Sequence, residues 1–202
     1  GRLDDLVKYC RDQVARSPEQ TAVRALLADV LAAAGKPDEG KAALAEAIQL
    51  FPKDRALSEH RVQFLERLGD TAGMAAEYER MVAEYPEDVE MYIAYGQHLA
   101  QNRQLEAARN QWRRVLESKV SQAPLANRLG GLFEVYEMYD DAVRCYERAV
   151  TLGPNQPESY TALARLWFYR GEKDKAAEAL NRLAQATPDD AAGQATLSES
   201  YL

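Results

Sequence analysis

The chain has 202 residues, of which 25 are Lys or Arg and 32 are Asp or Glu, so its formal net charge is −7 at pH 7. The two kinds of charge are interspersed along the sequence, without the basic stripe that follows a nucleic-acid backbone, and no apolar run approaches the roughly 18 residues of a membrane span. The two cysteines and two histidines form no closely spaced metal-binding pair. We therefore expect no nucleic-acid ligand, no membrane span, no metal and no cofactor.

Prolines mark an internal repeat. Five of the eight prolines fall on one 34-residue grid, and the vacant grid position between them is Val120. These prolines are Pro18, Pro52, Pro86, Pro154 and Pro188. A fixed period of this length predicts an array of similar units that pack on their neighbours.

Each unit is predicted to hold two helices. Apolar residues recur three and four apart over residues 24–31, a turn follows at 35–38, and Leu44, Ala47 and Ile48 resume the pattern. The next unit repeats this order on either side of Gly69. Helices of about 13 residues are marginal alone in water, so each one must bury its apolar face against its neighbours.

Helix starts are marked by proline. The sequence Asn155-Gln156-Pro157-Glu158 places a capping residue, a proline at the first helical position and a glutamate three residues after the cap. It predicts a helix that begins near residue 157. Ser121 followed by Pro124 predicts a similar start one unit earlier.

The hinges between the paired helices carry two kinds of residue. Gly35, Gly69 and Gly171 fall where a first helix should end, as a left-handed cap requires. Arg103 and Glu137 fill the other two hinges. For these two we expect a turn conformation that does not require glycine.

The repeat resembles the tetratricopeptide repeat, in which a large residue, Leu-Gly, Tyr, Ala, an aromatic residue, Ala and Pro recur at fixed spacings. The unit at 123–156 carries the pattern most fully, in Leu129, Gly130, Phe133, Ala142, Tyr146, Ala149 and Pro154. The next unit offers Tyr160, Leu163, Ala164, Trp167, Ala176, Leu180 and Pro188, and the pattern assigns Trp167 to the core. Arg61 and Val62 replace the usual Leu and small residue, so we expect adjusted packing there. The resemblance implies an all-α fold, a right-handed α-solenoid of antiparallel helix pairs.

The predicted domain is one array over residues 1–202. Residues 3–20 correspond to the second helix of a half repeat, and five full repeats follow at 21–54, 55–88, 89–122, 123–156 and 157–190. Residues 191–202 are expected to form the first helix of a further repeat or a capping helix. The half repeats and the initial Gly1 suggest an excerpt from a longer array.

Isolated reactive residues are interpreted as structural. Cys10 and Cys145 lie four repeats apart on apolar helix faces, beyond disulfide reach, so both are expected in the core. His98 is expected to pack with a hydrogen bond. The acidic pair Asp140-Asp141 begins a helix, where it complements the helix dipole.

The resemblance implies a non-catalytic scaffold or adaptor that binds a peptide segment or a protein surface in a concave groove of first helices. The candidate partner-binding residues are Glu59, Gln63, Glu66, Arg67, Glu90, Ile93, Gln97, Gln101, Asn127, Arg128, Glu134, Glu158, Arg165, Phe168 and Tyr169. The acidic members favour a partner with Lys or Arg, although a solvated face explains them equally. Phe168 and Tyr169 form a candidate aromatic patch, unless Phe168 packs beneath the final helix.

An alternative is that the array is the substrate-recruiting arm of a larger enzyme or of a bacterial envelope secretion or polysaccharide-export assembly. The Lys and Asn residues with which related proteins clamp a chaperone's carboxylate terminus are mostly replaced by Ala, Glu or Gln, which disfavours that role. Arg outnumbers Lys 18 to 7, as in GC-rich bacteria. Both a cytoplasmic and a periplasmic location stay open.

Overall fold

The computed structural model describes residues 1–118, 120–154 and 156–186, and in this part of the chain it contains eleven α-helices and no strand. The helices are α1 (Arg2–Arg16), α2 (Thr21–Ala33), α3 (Pro37–Leu50), α4 (Arg55–Arg67), α5 (Thr71–Glu84), α6 (Val89–Gln101), α7 (Leu105–Ser118), α8 (Ala123–Val135), α9 (Tyr139–Leu152), α10 (Pro157–Tyr169) and α11 (Lys173–Ala186). The all-α prediction of paired helices is confirmed. The expected cap Asn155, the grid position Pro188 and the final helix at 191–202 lie outside the described residues.

The helix bounds repeat with the period of the prolines. First helices of 13 residues begin at residues 21, 55, 89, 123 and 157, and second helices of 14 residues begin at 37, 71, 105, 139 and 173. Pro157 is the first residue of α10, as predicted, and Pro124 lies in the first turn of α8. None of the helices in the described part is long and apolar enough to cross a membrane.

The five hinges share one backbone motif. At each hinge, the N–H of the hinge residue donates to the carbonyl three residues earlier, and the N–H of the following residue donates to the carbonyl five residues before that residue. In the first hinge these bonds run from Gly35 to Ala32 (3.0 Å) and from Lys36 to Leu31 (2.9 Å). Arg103 (φ 62°) and Glu137 (φ 58°) adopt the same left-handed conformation as the three glycines. The expectation of a different turn at these two hinges is therefore wrong, because the same two hydrogen bonds close all five.

The chain divides into two compact units, Gly1–His98 and Leu99–Leu202. In the first unit, α1 packs on α2, α2 on α3, α3 on α4 and α4 on α5. Its interior clusters include Val7, Cys10, Leu27, Val30 and Leu31 between α1 and α2, and Ala28, Leu44, Ala47, Ile48, Leu57 and Phe64 over α2 to α4. Gly40 lets α3 approach α2 and α4 closely, since a Cβ at this position would lie 2.7 Å from the Phe64 ring and 2.8 Å from the Ala28 carbonyl oxygen.

In the second unit, α7 packs on α8, α8 on α9, α9 on α10 and α10 on α11. Its largest fully buried side chains include Trp112 and Phe133, whose rings meet edge to face at 5.6 Å. Tyr146 of α9 packs on Gly130 of α8, where a Cβ would lie 2.7 Å from the ring.

Two carboxylates are buried inside ion-pair clusters. Glu77, 1% exposed, accepts from Arg61 at 2.7 Å and from Arg80 at 2.6 Å, so the adjusted packing at Arg61 consists of an ion pair with the second helix. Asp141, fully buried, accepts from Arg109 and from Arg113 at 2.7 Å. The interpretation of Asp141 as a helix-dipole residue is incomplete, because two guanidinium groups from α7 bind its carboxylate.

The other structural residues lie as expected. Cys10 and Cys145 are free and buried. His98 is 6% exposed, and its Nε2 lies 3.2 Å from the Thr71 carbonyl oxygen. These positions agree with packing roles for both cysteines and for the histidine.

Candidate functional site

Four candidate residues gather around one cleft in the first unit, which we call the acidic cleft. Its volume is about 310 Å³, and its rim carries Glu59, Gln63 and Glu66 from α4 and Glu90 from α6. All four side chains are exposed. The remaining lining residues are Arg55, Val62, Tyr78, Met81, Met91 and Ala94. The cleft therefore combines a carboxylate rim with a largely apolar floor.

Arg55 is the positive group of the acidic cleft. Its Nε donates to Glu59 Oε1 at 2.7 Å, and its Nη1 pairs with Asp88. These contacts raise the pKa of Arg55, with the Glu59 hydrogen bond as the main cause and the Asp88 charge next. Glu66 makes no ion pair with any described residue. Three glutamates and one paired arginine therefore line the acidic cleft.

Aromatic side chains support the wall of this cleft. The ring of Tyr78 stacks on Tyr95 with centroids 5.6 Å apart and planes 17° from parallel, and it lies 5.5 Å from the His98 ring. Burial raises the pKa of Tyr78. Burial, helped by a hydrogen bond to Glu79, raises the pKa of Tyr95 to about 12. Both phenols stay protonated at neutral pH, and Tyr78 lines the cleft while Tyr95 stacks on the Tyr78 ring.

A second cleft of the first unit, about 340 Å³, lies between α2 and α4. Small residues such as Ala22, Ala25 and Ala56 line it together with His60 and Asp29. Arg67, a candidate partner-binding residue, instead pairs with Asp29. Its guanidinium also lies 5.7 Å from the centroid of Phe64. Arg67 therefore links two consecutive first helices.

In the second unit, five candidates line two clefts that share Arg165. One cleft, about 400 Å³, is lined by Asn127, Tyr146, Glu158, Thr161, Ala162 and Arg165. The other, about 380 Å³, is lined by Glu134, Tyr139, Arg165, Leu166, Tyr169 and Arg170, and we call it the tyrosine cleft. Of the expected aromatic patch, Phe168 and Tyr169, its lining includes Tyr169.

Glu134 and Arg165 bind each other. Arg165 Nη2 donates to both carboxylate oxygens of Glu134, at 2.7 and 2.8 Å, and the Tyr146 hydroxyl donates to the same carboxylate at 2.6 Å. Burial, followed by the hydrogen bond to Glu134, raises the pKa of Tyr146. This cluster joins α8, α9 and α10, so a partner that used either charge would compete with an internal ion pair.

Asn127 is also engaged within the fold. Its Nδ2 donates to Gln156 Oε1 at 2.9 Å, and its Oδ1 accepts from Ser159 Oγ at 2.7 Å. Because Ser159 is buried and lies in the first turn of the next first helix, the amide of Asn127 joins two repeats. Partner binding at this residue would have to replace these bonds or use the remaining amide proton.

The rings at the end of α10 differ in exposure. Tyr169 is 76% exposed, whereas Phe168 is half-buried and meets Tyr169 at a centroid distance of 6.3 Å. Trp167 is half-buried and not part of the fully buried core, so its core assignment needs correction. The ring of Trp167 lies 4.3 Å from Lys175 Nζ and 5.1 Å from the Arg170 guanidinium. A water-exposed face suits this ring because cations pack on it.

The remaining candidates lie away from these clefts or inside the protein. Gln97, Gln101 and Arg128 are exposed, and none of them lines the clefts described above. Ile93 is 2% exposed, so its placement on a partner-facing surface is corrected. Burial of Ile93 is favourable because it removes a wholly apolar side chain from water.

The lining residues that the sequence analysis did not predict include Arg55, Tyr78 and Tyr139. Arg55 precedes Glu59 by one helical turn, a spacing that could have revealed their pairing. Tyr78 and Tyr139 belong to second helices, whereas the predicted groove consists of first helices. Among the described residues, no group of His, Cys, Asp and Glu has the arrangement of a metal site.

Comparison with known sequences identifies the repeat. Two sequence models described as tetratricopeptide repeat match the chain, one at residues 136–199 and the other at 25–89 and 75–124. Together they cover more than half of it. The chain belongs to the tetratricopeptide repeat family. A search of curated proteins gave no match to this tetratricopeptide repeat chain.

Solved tetratricopeptide repeat structures share the fold. The MamA protein aligns with a TM-score of 0.54 at 16% identity over 86% of this chain and 95% of its own. YrrB, described as a TPR protein with an unusual peptide-binding site, aligns with a TM-score of 0.52 at 14% identity over 95% and 96% of the two chains. MamA residues 41 to the end from Desulfovibrio magneticus RS-1 align with a TM-score of 0.50 at 16% identity over 85% and 97%. At these identities the likeness shows the fold alone.

Proposed function

We propose that this chain is a non-catalytic interaction module that binds an extended peptide segment of a partner protein in the acidic cleft. The supporting observation is that Glu59, Gln63, Glu66 and Glu90 line one cleft over an apolar floor. Members of the family generally mediate protein–protein interactions, and one protein of similar fold, YrrB, is described as having a peptide-binding site. The exposed first helices serve as the binding surface.

The chemistry of the acidic cleft favours a basic residue next to an apolar one. A Lys or Arg side chain lays its methylene stem along Val62 and Met91 and brings its charge to the carboxylate rim. A volume of about 310 Å³ accepts one or two side chains and no folded domain. Complementary charge speeds association and selects the partner.

The tyrosine cleft adds an apolar anchor in the second unit. Tyr139 is 45% exposed and Tyr169 is 76% exposed, and both line this cleft. Exposed tyrosines beside an arginine are typical of binding hot spots. Arg165 and Glu134 neutralise each other here, so the partner contacts made by this cleft are chiefly with the rings.

Fluorescence anisotropy with three labelled 12-residue peptides tests the acidic cleft. The peptides share their apolar residues and differ in whether the remaining positions are lysine, glutamate or serine. We expect the lysine peptide to bind best and to weaken as salt screens the rim. The paired change Glu66→Gln with Glu90→Gln should weaken it about tenfold, equivalent to about 1.4 kcal/mol.

The matched control replaces two exposed glutamates elsewhere, Glu19→Gln with Glu178→Gln, which alters the net charge equally. This control should bind the lysine peptide like the wild type. Equal binding of all three peptides, or equal weakening by both pairs of changes, would contradict the proposal. The variant Tyr169→Ala reports separately on the tyrosine cleft.

A further inference from the structure

Two neighbouring clefts of the first unit occupy equivalent positions in successive repeats. The cleft between α2 and α4, which we call the alanine cleft, is lined by residues that include Ala22, Ala25 and Ala56. Six of its eight lining residues have an equivalent 34 positions later that lines the acidic cleft. Helix α4 contributes residues to both clefts. The two clefts are therefore two versions of one cleft, separated by one repeat.

The two versions differ in charge. Ala25 and Ala56 of the alanine cleft are replaced at the equivalent positions by Glu59 and Glu90 of the acidic cleft. Asp29 also lines the alanine cleft, but its carboxylate binds the guanidinium of Arg67. A basic side chain in the alanine cleft would have to compete with that ion pair. The acidic cleft is therefore the better site for a basic side chain.

The alanine cleft suits an aliphatic side chain. Leu57 in this cleft is 2% exposed, whereas Leu26 is 48% exposed. Contact with an aliphatic guest would remove the Leu26 side chain and the methyl groups of the alanines from water, which is favourable. A volume of about 340 Å³ accepts one branched side chain such as leucine.

The distance between the two clefts follows from the packing of the first helices. Helix α2 contacts α4 directly, and helices in contact lie about 8–10 Å apart. Because the clefts are equivalent positions of successive repeats, one cleft lies about the same distance from the next. A peptide that fills both clefts must place two side chains at this separation on one side of its backbone.

The polyproline II conformation meets this requirement. It has three residues per turn and a rise of about 3.1 Å, so residues three apart share one side and lie about 9 Å apart. In a β-strand, side chains on one side are two or four residues apart, which places them about 7 or 13 Å apart. The separation of the clefts therefore favours polyproline II over a β-strand.

We propose that the alanine cleft and the acidic cleft together bind one peptide segment in the polyproline II conformation. A leucine-sized aliphatic residue occupies the alanine cleft, and a lysine or arginine three positions away occupies the acidic cleft. This inference rests on the proposed function, because it places the basic residue in the acidic cleft, and it adds a second subsite and a spacing. The different chemistry of the two clefts fixes which residue enters each.

The charge of the first unit supports a basic segment. Residues 1–98 carry 12 basic and 18 acidic side chains, so this unit has a net charge of −6 out of −7 for the whole chain. A field of this sign attracts a segment that carries lysine or arginine. Both clefts lie in this unit.

Fluorescence anisotropy with labelled proline-rich peptides of equal length tests the spacing. Each peptide carries one leucine and one lysine in a background of proline, which holds the polyproline II conformation. The two residues are two, three or four positions apart, and each spacing is made in both orders. We expect one order at a spacing of three to bind at least tenfold more tightly than spacings of two and four.

The variant Ala56→Glu tests the alanine cleft by giving it the carboxylate that Glu90 supplies one repeat later. Ala56 is exposed and glutamate favours a helix, so the fold should persist. This variant should bind the leucine–lysine peptide about tenfold more weakly and should bind a peptide with lysine at both positions more tightly than the wild type does. Ala42→Glu adds the same charge at an exposed position of α3 and should keep the wild-type preference.

Leu26→Ser provides a second measurement of the same cleft. It should weaken the leucine–lysine peptide and leave unchanged a peptide in which alanine replaces the leucine. Its control is Leu50→Ser, at a leucine that is 54% exposed on α3 and lines neither cleft. Circular dichroism and melting temperatures identify variants that remain folded, and if Ala56→Glu fails to fold, Leu26→Ser tests the site.

The outcomes separate this inference from the proposed function. Equal affinity at the three spacings, tightest binding at two or four, or equal weakening of the leucine and alanine peptides by Leu26→Ser would overturn the inference. The acidic cleft would still stand if Glu66→Gln with Glu90→Gln weakened every lysine peptide. If that paired change had no effect, the proposed function and this inference would both be overturned.

Discussion

At the residue scale, the two hinges without glycine store conformational strain. Arg103 and Glu137 hold φ values of 62° and 58°, where their side chains crowd the backbone. The left-handed conformation costs a residue with a Cβ about 1–2 kcal/mol, and glycine loses about 0.5–1 kcal/mol of additional chain entropy on folding. Arg103→Gly and Glu137→Gly should therefore each raise the free energy of unfolding by about 0.5–1 kcal/mol, measured by urea denaturation.

The control for these hinges is glycine placed in a regular helix. Glu178 is exposed within α11, and Glu178→Gly should lower stability by about 1 kcal/mol because helical glycine costs backbone entropy. Gly35→Ala, at φ 78°, should also be destabilising. Destabilisation by the glycine substitutions at 103 and 137 would contradict the strain argument.

The charge of Asp141 should contribute to stability, because its buried carboxylate is held by two guanidinium groups. Burial alone would raise the pKa of its carboxyl, but hydrogen bonds from Arg113 and Arg109 outweigh burial and lower it. Asp141→Asn leaves both guanidinium groups without their carboxylate and should cost about 3 kcal/mol at neutral pH. Chemical denaturation of the wild type and the variant measures this difference.

The pH dependence of that difference follows from the lowered pKa. The Asp141 carboxylate stabilises the fold fully at pH values above about 3.9, the pKa of an aspartate in the unfolded chain. This stabilisation is lost as the pH falls toward the lower pKa that Asp141 has in the folded protein. The wild type and Asp141→Asn should thus converge below about pH 4. The neighbouring change Asp140→Asn removes an exposed ion pair with Arg170 and should cost under about 1 kcal/mol. Equal losses from the two substitutions would contradict the burial argument.

At the scale of the elements, two adjacent glycines in α8 should respond oppositely to alanine. A Cβ on Gly130 would lie 2.7 Å from the Tyr146 ring, whereas a Cβ on Gly131 would come no closer than 3.8 Å to the Tyr146 hydroxyl. Gly130→Ala should cost about 1–3 kcal/mol by overpacking. Gly131→Ala should gain about 0.5–1 kcal/mol because alanine favours the helix.

Thermal or urea unfolding of these two variants checks how closely α8 and α9 pack. The pair is its own control, since both changes add one methyl group to neighbouring positions of one helix. If Gly130→Ala were as stable as Gly131→Ala, the Tyr146 ring would have room to move, and the contact between the helices would be looser than the structure shows.

Helix positions could be predicted from the sequence because proline, glycine and the spacing of apolar residues act locally. The start of α10 at Pro157 and the hinge at Gly35 depend on residues within one helical turn. The conformations of Arg103 and Glu137 could not be read in this way. Their residue types disfavour a left-handed turn, and the hydrogen bonds of the hinge impose it.

The site was harder to predict because its charges bind each other across repeats. Glu134 and Arg165 lie 31 residues apart, and each alone resembles an exposed binding residue. Asn127 likewise pairs with residues about 30 positions away. The carboxylates of the acidic cleft were predicted because the groove implied by the family resemblance consists of first helices, and all three carboxylates lie on first helices. Pairing between repeats is a tertiary property that helix periodicity does not encode.

At the scale of the whole molecule, the two cysteines report how far unfolding spreads. In an array where each repeat contacts only its neighbours, the repeats at an end of the array unfold most easily. Cys10 belongs to α1, which packs on α2, whereas Cys145 belongs to α9, which packs on both α8 and α10. Both side chains are 0% exposed, so each thiol must be uncovered before it reacts.

We expect Cys10 to react at least tenfold faster than Cys145 with a thiol reagent under native conditions. In the 202-residue chain, detachment of α1 from α2 exposes Cys10, whereas exposure of Cys145 requires the loss of the contacts of α9 with both α8 and α10. Burial also raises the pKa of Cys145 to about 12, which keeps that thiol unreactive while it is folded. The single-thiol variants Cys145→Ser and Cys10→Ser give the two rates separately. Equal rates with the same dependence on urea would mean that α1 unfolds together with α9, and the chain would then behave as one cooperative body.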